Sequence, residues 1–411
     1  MAIADFADAT IDPILKDHYT DDERLALAFN KKNIAVASIA RKKAGGRKYI
    51  QPLDYAMPGG GSPSFSVAQA GFKASKFEAF ELTRAQHYIV PILDNESVLA
   101  TEKDADAFQP LIKQLDNSFR AEGDHLEFRL FRNKGGTIGK IATSTTIGSA
   151  VAILDDPSDV YQFAPDMVVK LYSADTGVAA ETGTLTVLST DPANYTVTFT
   201  GNITAGVATA AVGMFIAEAA AYDAEILGMG DWLPVVRTGL ATPFNGVNRS
   251  LNATLLAGNY LDGSTGTPLN ELLIDALAMV SDAGGMANRV FMNTRRFASL
   301  MKLLEGKVSI EKVDEKVSPR IGFSGVKVTF AEQDVTIFSS RAVPFNRAYV
   351  LDWSTWFLHA PHEVPSFLLK GQGHNSIVTP APTADAWECR IGYYANLGCS
   401  APGYNAVIKL A

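Results

Sequence analysis

Cysteine is scarce in this chain, with two residues, Cys389 and Cys399, near the end of 411. A lone pair in so long a chain is no disulfide framework, and both read as reduced, buried thiols. No apolar run approaches 18 residues, so no segment reads as a membrane span. Charge is modest at 19% and the formal net charge is −8, which argues against a dedicated nucleic-acid binder. The first residues, Met-Ala-Ile-Ala-Asp, are acidic and do not read as a signal peptide, so folding in a cytoplasm is expected. There is no phosphate-binding loop, H-E-x-x-H, G-x-S-x-G or C-x-x-C. Gly228-Met229-Gly230 lacks the third glycine and the acidic partner of a dinucleotide site.

Histidine is also sparse and scattered, at six residues. His359 and His362 sit three apart beside Glu363, but Pro361 and Pro365 oppose the helix that would align them on zinc. Nothing in the spacing pairs Cys389 with His374 as nucleophile and base. No catalytic, cofactor-binding or metal-ligating residue is therefore assigned, and no enzyme is expected; a cytoplasmic enzyme with an unrecognised site is the weakest alternative.

What the chain does have is 47% hydrophobic residues, enough for two or three domains with large cores. Its most informative stretch is 45–91. Gly and Pro punctuate the first half, two-residue alternation fills the second, and no helical stripe appears. A structureless loop of that length is rare in a compact domain, so an extended hairpin with its tip near 57–64 is expected. Two strands alone are marginal in water. The hairpin must lie on something, and a second copy of the chain is the foremost candidate.

Upstream, 1–30 is acidic, with Asp5, Asp8, Asp12, Asp17, Asp21, Asp22 and Glu23 against Lys16 and Arg24. From 31 to 48 the charges are Lys31, Lys32, Arg41, Lys42, Lys43, Arg47 and Lys48, with no acid. This is an arm whose basic half is either solvated or meets an acidic neighbour or packaged nucleic acid. Downstream, Thr101-Glu102-Lys103-Asp104 fits a helix start, and Leu111, Ile112, Leu115 and Phe119 recur at helical spacing. Pro110 should kink that helix or begin a second one, and Gly123 should end it after Glu122.

Residues 147–221 change character. Thr, Ala and Val dominate, Lys170 is the lone cation, and short apolar runs at 167–172, 184–188, 195–200 and 214–217 alternate with turn signals. This predicts an all-β, barrel-like module set into a larger fold. From 266 the period returns to 3.6. Thr267 caps, Pro268 opens, Leu269, Leu272, Leu273, Ala276, Leu277 and Val280 form the stripe, and Gly284-Gly285 ends it. A strand at 289–292, a helix at 294–304 and strands at 325–330, 335–339 and 348–352 complete an α+β domain.

The second half carries an ordered set: GFSGVKV at 322–328, VPFNRAYVLD at 343–352, DAWECRIGYY at 385–394 and CSAPGYNA at 399–406. In this order the chain resembles tailed-bacteriophage major capsid proteins of the Hong Kong 97 fold, over nearly its whole length. The resemblance implies an α+β fold with an N-terminal arm at 1–45 and an E-loop hairpin at 46–96. It implies a peripheral domain with the spine helix at 97–146 and an inserted all-β domain at 147–221. An axial domain follows at 222–345, a second peripheral segment at 346–390 and an axial C-terminal strand at 391–411.

The function implied is that of a shell protein of a tailed double-stranded DNA phage. It would assemble into hexamers and pentamers of an icosahedral virion capsid, built in the host cytoplasm, and enclose DNA without reading its sequence. Scaffolding, portal and decoration proteins are the expected partners, and the short arm points to a separate scaffold. An encapsulin-like nanocompartment shell is the alternative. Intersubunit contact candidates are Arg41, Lys42, Lys43, Lys48, Met57, Phe65, Phe72, Lys73, Lys76 and Phe77. Some shells of this family cross-link a Lys to an Asn beside a Glu, for which Lys73, Lys76, Asn375 and Glu388 are the candidates; ordinary surface lysines are the simpler reading.

Overall fold

The computed structural model describes residues 33–43, 45–46, 48–94, 109–219, 221–304, 326–330, 333–368, 378–381 and 384–411. Three apolar cores organise them. The largest is shared between a helix and two sheets. The helix, Gln109–Phe131, contributes Leu126, Phe128, Leu130 and Phe131. It does not end at Gly123, which lies buried inside it. Glycine costs about 1 kcal/mol in a helix interior. Burial of the four apolar side chains that follow outweighs that, at roughly 1.5–3 kcal/mol each. Pro110 is the second described residue of this helix. The expected start at 101–104 lies outside the described residues.

One sheet under this helix runs in the order Ala40–Lys43, Trp356–Ala360, Ile391–Cys399, Ser366–Phe367, with Ala85–Ile89 also paired to Ile391–Cys399. The pairing of Ala40–Lys43 with Trp356–Ala360 is parallel and the others are antiparallel. Ile391–Cys399 is buried almost throughout and reads as a continuous apolar run for that reason. The sequence reading set this strand with the axial segment, whereas its ladder partners are the neighbours of the long helix.

A second sheet runs Asn259–Gly263, Ala406–Leu410, Arg347–Leu351, Arg289–Met292, Gln333–Ser339, Val326–Phe330. Its residues alternate between cores, as a pleat requires. Val290, Met292, Ala348, Val350, Ala406 and Ile408 face the helices Leu269–Asp282 and Thr294–Leu304, while Phe291, Tyr349, Leu351 and Val407 face the main core. Arg347–Leu351, read from sequence as the start of the second peripheral segment, is interior to this sheet. Pro268 precedes the helix by one place, and Gly284, at φ 84°, follows it.

The third core belongs to a sheet in the order Thr137–Lys140, Phe215–Glu218, Val168–Tyr172, Leu185–Asp191, Thr196–Phe199, Val151–Ile153. Its first and last strands meet at an Ile141–Leu154 bridge, so the sheet curls shut. The sheet begins at Thr137, ten residues before the change in composition at Ile147. Thr-Ile-Gly-Lys is too short to show alternation, so the earlier boundary left no trace in the sequence. A small antiparallel sheet joins Val378–Pro380, Ala386–Cys389 and Ile92–Asp94. Both cysteines are buried thiols outside any disulfide, and burial pushes the Cys399 thiol up to about 12.

Candidate assembly surface

The hairpin is formed by Lys48–Ala56 and Lys76–Thr83, antiparallel, with a register shift between Asp54 and Ala56. Its root is not bare. Phe80 and Leu82 are buried in the main core, with Tyr49, Leu53 and Tyr55 packed beside them. Phe80 meets Trp232 edge-on at 5.0 Å and Phe244 at 6.0 Å. Asn252 Nδ2 donates to the Tyr55 carbonyl at 3.1 Å, and the Glu81 amide donates to the Asn245 carbonyl at 2.9 Å. Lys48 pairs with Glu81 across the strands at 2.5 Å, both half-exposed. The requirement that an isolated hairpin lie on something is thus met at its root by its own subunit.

The tip is different. Residues 57–75 are closed by a two-way backbone pairing of Gly59 and Lys73 at 3.1 and 2.9 Å. Gly60, at φ 94°, faces the Gly71 carbonyl where a Cβ would sit only 1.9 Å away, so only glycine fits. Between them lies a short helix, Phe65–Gly71, with no buried residue. The sequence showed no helical stripe here because a helix that buries nothing needs none. Met57 is 88% exposed, Phe65 81%, Phe72 68% and Phe77 63%. Lys73 lies opposite Gly59, and Lys76 opposite Ala56 at the mouth of the tip. An uncovered apolar cluster on a projecting arm is the usual mark of an interaction surface.

The basic arm residues sit elsewhere. Ala40–Lys43 is an edge strand, in register with Phe357–Ala360. Arg41 reaches the Val36 and Val364 carbonyls at 3.3 and 3.5 Å, and the Lys42 ammonium lies 3.7 Å from the Phe357 ring centre. The preceding helix, Ile34–Ser38, is anchored by Glu127, whose carboxylate accepts from the Ala35 and Val36 amides at 3.3 and 2.9 Å. Burial pushes that carboxyl up to about 7. Of the cross-link candidates, Glu388 is buried and accepts from Arg390 Nε and Nη2 at 3.0 and 2.6 Å. Asn375 and His374 lie outside the described residues. The structure brings neither His362 nor a carboxylate onto His359, which is buried between Tyr49 and Phe357 at 3.5 and 4.6 Å.

Two features escaped sequence reading. Gly228 packs on the last turn of the long helix, where a Cβ would lie 2.1 Å from the Arg132 carbonyl. His87, Glu122, His125 and Glu225 converge from separate elements into one polar cluster. The spacing of Glu122, His125 and Arg129 on one helical face was the available signal for the second. Among the described residues no helix is long and apolar enough to cross a membrane.

No family model matches the sequence, and no curated protein matches it. Solved structures similar to it include a chain of the cyanophage A-1(L) capsid asymmetric unit, at 11% identity and TM-score 0.47, covering 90% of this chain and 89% of that one. A second is the capsid of a native GTA particle, at 9% identity and TM-score 0.47, covering 93% and 91%. A third is the holo-SrpI encapsulin complex from Synechococcus elongatus PCC 7942, at 8% identity and TM-score 0.42, covering 92% and 86%.

Proposed function

We propose that this chain is the major capsid protein of a tailed double-stranded DNA bacteriophage, a structural protein that assembles into hexamers and pentamers of an icosahedral shell around the genome. The observation that carries the reading is the hairpin. Its root is fixed in the subunit core and its apolar tip is bare. Burying Met57, Phe65, Phe72 or Phe77 against a neighbour contributes about 1.5–3 kcal/mol each before the cost of association. A rigid root with an unfinished tip suits one job, reaching over an adjacent subunit.

In this reading the hairpin is the E-loop and Gln109–Phe131 the spine helix. The sheet with helices Leu269–Asp282 and Thr294–Leu304 is axial, and the curled sheet beginning at Thr137 is an added module on the shell. Scaffolding, portal and decoration proteins are its partners, and the shell assembles in the host cytoplasm.

The test is electron microscopy and static light scattering of the overexpressed chain, with and without the products of neighbouring genes. Closed particles of megadalton mass, filled with DNA when the packaging proteins are present, are expected. Shells that retain protein cargo and never DNA would identify a nanocompartment instead. Monomers or dimers under every assembly condition would overturn the shell reading.

A further inference from the structure

His87, on the strand Ala85–Ile89 that leaves the hairpin root, stacks on His125 of the long helix with ring centres 3.8 Å apart and 16° between planes. Glu225 approaches from the chain just before Ile226 and Leu227, which are buried in the main core. One ligand atom from each of these three residues lies within 4.8 Å of the others. His87 Nδ1 is 2.8 and 3.1 Å from the two Glu122 oxygens, and Glu122 is wholly buried. A carboxylate only accepts, so Nδ1 carries a proton, and in the neutral imidazole Nε2 keeps a free lone pair. That is the carboxylate–histidine arrangement by which metal ligands are oriented and made more basic.

The rest of the cluster is short of partners. His125 Nε2 lies 3.4 Å from Glu225 Oε1 and 3.2 Å from Arg129 Nε. His125 Nδ1 and Glu225 Oε2 are buried and have no hydrogen-bond partner. With its proton on Nε2, His125 leaves the Nδ1 lone pair bare and sets its N–H against that of Arg129 Nε; with its proton on Nδ1, Nε2 accepts from Arg129 but a donor is buried without an acceptor. Each such group carries a desolvation penalty that native structures rarely leave unmet. Arg129 adds one positive charge, 3.9 Å from Glu225, but two carboxylates outweigh it. The His87 side chain is 20% exposed, which opens a path from solvent.

We propose that His87, His125 and Glu225 bind a divalent cation of the zinc class, with Glu122 orienting His87. Two imidazoles and one carboxylate are a donor set suited to zinc. The site joins the strand that follows the hairpin, the long helix and the chain at 225. A bound ion fixes the direction from which the hairpin leaves the subunit.

The full chain, stripped with a chelator and dialysed, is titrated with zinc alone and with cobalt alone. One ion per chain at micromolar concentration is expected, with visible cobalt absorption bands of a four-coordinate site and a raised melting temperature with zinc. His125→Gln and Glu225→Gln should each weaken zinc binding at least about tenfold. Absence of stoichiometric uptake by the unmodified chain, or uptake unchanged in both variants, would overturn the proposal and leave a cluster that binds only protons and water. The cobalt spectrum of the unmodified chain decides the matter even if a variant fails to fold.

Discussion

The two strands of the hairpin meet different surroundings along their length. At the root, Phe80 and Leu82 are as buried as any residue of the core, and side-chain alternation is strict enough to read as a sheet lying on a protein. Beyond Ala56 and Lys76 the same hairpin carries Met57, Phe65 and Phe72 into solvent with nothing beneath them. Root and tip both carry large apolar side chains, in opposite environments. On the proposed reading, apolar side chains serve the subunit in one half and a partner in the other, and perturbing each half separately tests that division.

The largest expected effect comes from removing the tip. Deleting 57–75 and joining Ala56 to Lys76 through an Asn-Gly turn uses a pairing already present. The subunit should keep its far-ultraviolet circular dichroism and melt within about 0.5 kcal/mol of the parent, because no buried contact is lost. Shell formation, followed by light scattering and microscopy, should vanish. A variant that unfolds would show that the tip is a core element; one that still forms normal shells would show that it is dispensable.

At the root the expectation reverses. Phe80→Ala opens a cavity against Trp232 and Phe244 and should cost about 3–5 kcal/mol, read as a lower denaturant midpoint of the unassembled subunit. The parallel change Phe65→Ala at the tip should leave that midpoint in place. Equal losses at both sites would dissolve the distinction between root and tip.

His359 offers a gentler probe of the root. It is buried under Tyr49, both ring nitrogens lack a hydrogen-bond partner, and burial with Lys42 nearby holds it down to about 4 from 6.5. A histidine depressed in the folded state stabilises above its unfolded value and loses that contribution as pH falls. Subunit stability should therefore decline between about pH 6.5 and 4, by at most about 3 kcal/mol from this group. His359→Leu should flatten that part of the pH profile. An unchanged slope in the variant would place the acid sensitivity elsewhere.

Much of this fold was readable in the sequence. The helices Leu269–Asp282 and Thr294–Leu304 showed their period because each presents one apolar face to one core, and the strands at Arg289–Met292 and Gln333–Ser339 showed as short apolar runs because cores cover both of their faces. The hairpin was legible as a hairpin, but not its division. Alternation says that one face is covered; it does not say by which molecule. The long helix was cut short at Gly123 because local propensity argues for an end there, and the packing of Leu126 to Phe131 overrides it. The His87–His125–Glu225 cluster left only the Glu122, His125 and Arg129 spacing as a signal, because its members are far apart in sequence and none sits in a recognisable motif.

The smallest expected effect concerns the basic edge strand Ala40–Lys43. A run of positive charge a few residues before a hairpin with a bare tip invites the idea that both serve the same neighbour. The structure separates the three residues. Arg41 is turned to backbone carbonyls of its own subunit and Lys42 covers Phe357, so replacing either removes an internal contact as well as a charge. Lys43 is exposed at the edge, in register with Ala360. Exposed lysines on an edge strand also deter unwanted strand pairing, a role that needs no acidic partner. Lys43→Gln distinguishes these roles, because attraction between surface charges fades beyond about 8–10 Å at physiological salt. If Lys43 meets acidic surface on a neighbour, the variant should assemble more slowly than the parent at low ionic strength and equally fast at high ionic strength. If its work is edge protection, assembly rates should match at every salt concentration and the unassembled variant should instead aggregate sooner. A loss of assembly rate that persists undiminished at high salt would contradict both roles and tie Lys43 to a specific hydrogen bond across the interface.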